Sequence, residues 1–195
     1  MKKTFSAQFA KALDVVQMKV HSFSEVAKSE ESTKWGIVFF ALPVLVNLIL
    51  AAVTFPSGFS AIFSRFLIWP LAIPVLALSG SVIGVAYVAK KYFNAKGEMI
   101  WLFRVASHVS IVLWLTMILF LLGVLGIFDS FGLYNLVWVV NLVLVLIAAE
   151  KTFVSLYGVS KKDALILTVG VLIGYFILKS LLGSILVGSS YRMLY

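Results

Sequence analysis

The chain has 195 residues and no cysteine. Disulfides, thiolate metal sites and cysteine nucleophiles are therefore excluded. Charge is scarce as well: Asp, Glu, Lys and Arg make up 12% of the residues, and only eight are acidic. Carboxylate pairs for acid–base work or metal binding have little to draw on, and none stands at ligand spacing. There is no HExxH, no GxSxG and no P-loop. The two histidines, His21 and His108, are far apart in sequence. Proline occurs four times, and no Pro-rich linker, repeat or low-complexity tract divides the chain. The expectation is a protein that is not an enzyme and holds no cofactor or metal.

What remains is apolar. Hydrophobic residues make up 62% of the chain, against roughly 45–50% in soluble domains. A helix that crosses the hydrocarbon needs ~20 mainly apolar residues. Five runs qualify: 35–55, 66–89, 101–128, 133–149 and 164–187. The expected fold is an all-α integral membrane domain over 35–187, preceded by a segment at 1–34 and followed by a short external tail at 188–195. The opening "MKKTFSAQFAKALDVV" lacks the apolar core of a signal peptide, because Gln8, Lys11 and Asp14 interrupt it. It is expected to be retained.

Charge then orients the spans. Placing the N-terminus in the cytoplasm puts thirteen of the sixteen basic residues inside: Lys2, Lys3, Lys11, Lys19, Lys28, Lys34, Lys90, Lys91, Lys96, Arg104, Lys151, Lys161 and Lys162. Only Arg65 and Arg192 lie outside, with Lys179 within a span. The positive-inside rule therefore predicts N-in, C-out. The formal net charge of +8 serves orientation and attraction to anionic headgroups on the cytoplasmic side, and not nucleic acid.

Before the first span, Phe5, Phe9, Leu13, Val16, Val20 and Phe23 recur every three or four residues. They form one stripe of a predicted amphipathic helix, with Lys11, Asp14, Gln17, Lys19 and Ser22 opposite. Such a helix either lies in the membrane interface, apolar face down, or packs on protein.

Few polar residues fall near the spans. Arg104 and His108 are one turn apart, so they share a helix face. With Glu98 and Glu150 at similar depth they predict an interfacial polar cluster. The alternative has Arg104 meet lipid phosphates and His108 bond within the bundle. Lys179 lies about 22 Å from the inner end of the fifth span at ~1.5 Å per residue. Three readings stand for it: snorkelling to the outer interface, an ion pair with Asp129, or a transport role. Asn47 and Asn141 are expected to bond across helices. Two GxxxG patterns, Gly80–Gly84 and Gly170–Gly174, predict close packing faces, within the bundle or against a partner. Pro43, Pro70 and Pro74 interrupt the first two spans.

Two stretches carry a family resemblance. "AKGEMIWLFRVASHVSIVLW" (95–114) introduces the third span. "AEKTFVSLYGVSKKDALILTVGVLIGY" (149–175) joins the fourth and fifth, with a G-V-S-x-x-x-A element at Gly158, Val159, Ser160 and Ala164. Together with five close-set spans and a cytoplasmic N-terminal segment, this resembles the Yip family, the Ypt/Rab-interacting membrane proteins, in a prokaryotic form. The resemblance implies a non-enzymatic protein. Eukaryotic relatives act in vesicle traffic, and some prokaryotic ones look like helper subunits of transport complexes. The expected function is a scaffold or accessory subunit of a larger membrane complex in a prokaryotic cytoplasmic membrane. The alternatives are a small oligomeric transporter or channel, and a lipid-organising protein.

Overall fold

In hydrocarbon a backbone has no water to bond, so an apolar run must satisfy its amides internally, as a helix does. The computed structural model describes residues 5–54, 68–125 and 131–191 and contains no strand among them. Two short helices, α1 (Phe5–Val16) and α2 (Val20–Lys28), precede α3 (Glu31–Thr54) and α4 (Ile68–Tyr92). Then come α5 (Met99–Val109), a 3-10 turn (Ser110–Leu113), α6 (Trp114–Val124), α7 (Phe131–Ser155) and α8 (Lys161–Tyr191). Five segments are long and apolar enough to cross a membrane: α3, α4, α5 with α6, α7 and α8. All five expected spans have a helical counterpart.

The bounds differ most at α7, which continues to Ser155 and not 149; α8 continues through Tyr191 and not 187, and α3 begins at Glu31 and not 35. Hydropathy falls where Glu150 and Lys151 appear, but a helix ends where its terminal groups find other partners. Beyond α7, Gly158 adopts a left-handed φ of 67°, which glycine tolerates without a Cβ clash. The Leu156 and Tyr157 amides fold back onto the Thr152 carbonyl. Ser160 then caps α8: its hydroxyl accepts from the Asp163 amide at 3.2 Å and donates to the Asp163 carboxylate at 2.6 Å. Ala164 is fully buried one turn later. The G-V-S-x-x-x-A element is thus a stop, a cap and a packing contact.

The third span is central. Half of its most apolar stretch is buried, against 22% for α8. α5 packs on α1, α2, α3, α4 and α7, while α8 lies at the edge, chiefly on α4 and α7. The span breaks at its 3-10 turn without a proline. Ser107 and Ser110 donate to the Arg104 and Ala106 carbonyls, each at 3.0 Å, and Thr116 donates to Leu113 O. Hydroxyls that bond back into their own turn compete with the helical ladder and bend it. α3 and α4 run continuously through Pro43 and Pro74. Pro43 has no N–H for the Phe39 carbonyl, and Trp114 Nε1 of α6 donates to that carbonyl at 3.2 Å.

The opening stripe does not form one helix. α1 stops at Val16, and Met18 takes a left-handed φ of 59°. The Met18 and Lys19 amides return to the Val15 and Asp14 carbonyls, a closure usually made with glycine. The Lys19 ammonium pairs with the Asp14 carboxylate, and Lys11 meets Glu25 of α2 at 3.3 Å. The break separates the stripe's ends: Phe23 is fully buried and Val20 is exposed. Phe9 and Val16 pack beside Ala12, Phe39 and Ile111. Phe5 remains 44% exposed and Leu13 42%. One face of α1 therefore rests on protein, and part of its apolar stripe stays open.

Candidate functional site

Buried polar groups converge where α2, α3 and α5 meet. Arg104 is only 8% exposed. Its Nε donates to Thr33 Oγ1 and its Nη1 to the Ala27 carbonyl, both at 2.7 Å. Ala27 lies in the last turn of α2, where carbonyls lack helical donors and the helix dipole favours a cation. That environment accommodates the guanidinium through two of its N–H groups. The Arg104 carbonyl meets His108 Nδ1 at 2.8 Å. His108 is fully buried, its ring edge-on to Phe39 at 5.2 Å. Gly36 permits this approach of α3: a Cβ there would lie 2.1 Å from Ser107 Oγ.

The expected cluster of Glu98, Arg104, His108 and Glu150 is divided. Arg104 and His108 turn inward, whereas the Glu98 side chain is exposed beside Lys90 and Met99. Glu150 lines a different groove. Helical spacing locates a residue along its axis, but rotation about that axis separated these groups.

Tyr157, which sequence reasoning missed, ties the two connections at this end together. Its hydroxyl donates to Glu98 O at 2.6 Å and accepts from the Leu102 amide at 3.3 Å. The Lys96 amide donates to Tyr157 O at 3.1 Å. Trp101 and Phe153 contact its ring edge-on. Burial pushes the phenol up to about 12; its bond from the Leu102 amide opposes this and the nearby Glu98 charge adds to it. The signal in "SLYGVS" was an aromatic beside a turn glycine, but its partner lies 59 residues away.

Within the spans, Asn47 Nδ2 donates to Thr116 Oγ1 at 3.0 Å, joining α3 to α6. Asn141 is fully buried, and neither of its amide atoms has a partner among the described residues. Three of the four GxxxG glycines face the α4–α8 contact. A Cβ at Gly80 would meet Leu178 at 2.9 Å, at Gly174 Ser81 at 3.2 Å, and at Gly170 Val85 at 3.6 Å. Gly84 faces open space. Lys179 is exposed on α8, its ammonium 5.7 Å from the Tyr175 ring centroid. Asp129, its proposed ion-pair partner, lies outside the described residues.

Among the described residues no three His, Asp or Glu side chains group to hold a metal. The arrangement fastens and packs: it seats an N-terminal helical pair on the bundle and leaves an edge helix open. A scan against protein-family models finds no match for the chain, and searches of curated proteins and of solved structures find none either.

Proposed function

We propose that the chain is a non-enzymatic scaffold or accessory subunit that docks on a larger integral membrane complex. It would sit in a prokaryotic cytoplasmic membrane, with its N-terminus inside, and use the outward face of α8. One observation carries this reading. Lys179 stands exposed in an apolar helix, lining an open groove of about 430 Å³ with Phe176, Ser180, Gly183 and Ser184. No carboxylate pairs with it among the described residues. Near the outer end of a span the lysine stem can lift its ammonium to the interface, where it is within reach of a partner's carboxylate. Small residues beside it let a second helix approach closely. A partner helix carrying a carboxylate in the same half of the membrane would satisfy both features. The resemblance to the Yip family, with its binding and helper roles, supports the same reading.

The test is affinity purification of the tagged chain from native membranes in mild detergent, with mass spectrometry, for wild type and for Lys179→Leu with Ser184→Leu. The scaffold reading requires a stoichiometric membrane complex that the doubly substituted chain loses while its melting temperature holds. Recovery of the chain alone, or only as a homo-oligomer, removes it and leaves transport or lipid organisation to be tested by flux in liposomes.

A further inference from the structure

A second groove lies at the end of the bundle that carries α1 and α2. Val20 at the start of α2, Glu150, Lys151, Val154 and Ser155 at the end of α7, and Lys161 at the start of α8 line an open groove of about 410 Å³. That is within the range of small-ligand sites. Val20 is 56% exposed and Val154 42%, so two apolar walls open outward. Two lysines, Lys151 and Lys161, and one glutamate, Glu150, line the same space, and none of the three belongs to an ion pair among the described residues. Ser155 contributes a hydroxyl that donates to Lys151 O at 2.6 Å. The groove lies where two apolar helices end, so headgroups are the adjoining phase.

We propose that this groove binds a phospholipid with a primary-amine headgroup, of the phosphatidylethanolamine type. Lys151 and Lys161 hold the phosphate through charge-assisted hydrogen bonds. Glu150 accepts from the ammonium, and Val20 and Val154 flank the glycerol and upper acyl chain. A choline headgroup has no N–H to donate to Glu150. A glycerol headgroup offers hydroxyls but no cation. Basic pockets between spans bind anionic headgroups; the carboxylate is what makes this one selective for a zwitterion. The site needs no protein partner.

The test uses the full chain, delipidated in detergent and offered equimolar dioleoyl phosphatidylethanolamine, phosphatidylglycerol and phosphatidylcholine, with retained lipid read by native mass spectrometry. Wild type is expected to retain the ethanolamine lipid about tenfold over either other, one bond's worth of discrimination. Glu150→Gln should abolish that preference. Lys151→Gln with Lys161→Gln should lower retention of all three, with the lipid-free melting temperature unchanged. Soluble phosphoethanolamine at the same concentration should not displace the lipid. Preference for phosphatidylglycerol in wild type, equal retention of the three lipids, or displacement by the soluble headgroup would each overturn the proposal. The wild-type preference is read without any substitution, so a poorly folding variant does not leave the question open.

Discussion

At the residue scale, a proline in one span is answered by a tryptophan in another. Pro43 deprives the Phe39 carbonyl of its helical donor, and Trp114 Nε1 supplies one. In hydrocarbon an orphaned carbonyl has no water to turn to. Trp114→Phe should therefore cost about 1–2 kcal/mol from the lost bond, beyond any packing change. In a Pro43→Ala background the new amide at position 43 can take the carbonyl, so the same substitution should cost distinctly less. A double-mutant cycle of unfolding in mixed micelles isolates the coupling. Additive effects would show that the indole bond does not compensate for the missing amide. Residues of this kind were visible in the sequence, but their pairing was not: Phe39 and Trp114 are 75 positions apart.

At the scale of elements, Arg104 fastens the N-terminal helices to the central span. Its two bonds reach one residue in α2 and one in the first turn of α3. Arg104→Met would leave the Ala27 carbonyl without that donor, a loss of about 2–3 kcal/mol for a bond to a charged group. The penalty should fall on the attachment of α1 and α2 more than on the spans. Limited trypsin digestion at Lys19 and Lys28 should accelerate at least tenfold, roughly what 1.4 kcal/mol of eased opening produces, while fragments from the spans stay protected. Unchanged protection at both lysines would show that apolar packing of Phe23 and Val26 suffices to hold the pair. The single amphipathic helix expected here failed at Met18. Periodicity records which residues share a face, and nothing in it marks a non-glycine residue that will adopt a left-handed turn.

For the whole molecule, the charge distribution predicts which end of the bundle faces the cytoplasm. The chain's lack of cysteine makes it testable with single introduced thiols. Lys162→Cys, at the end bearing α1 and α2, and Gly132→Cys, in the first turn of α7, sit at opposite ends of the α7–α8 hairpin. In intact cells a membrane-impermeant maleimide should label the Gly132→Cys chain. The Lys162→Cys chain should be labelled only after permeabilisation. The reverse pattern would invert the bundle and place the lysine-rich end outside, contrary to the positive-inside rule.

The five-span helical plan and the helical positions of its polar residues were legible along the chain. Backbone desolvation forces a helix wherever some 20 apolar residues run together, and that is a sum along the chain. Which way those residues turn came from the packing of helices on one another. It set Arg104 against Ala27, and put Gly80 in a helix contact while Gly84 faces open space. It also placed Glu150 in a groove with Lys151 and Lys161. Each outcome depends on the rotation of one helix about its axis relative to another. That rotation follows from side chains interlocking across 70 or more positions of sequence, as in the contacts of Arg104 with Thr33 and Ala27, 71 and 77 positions away.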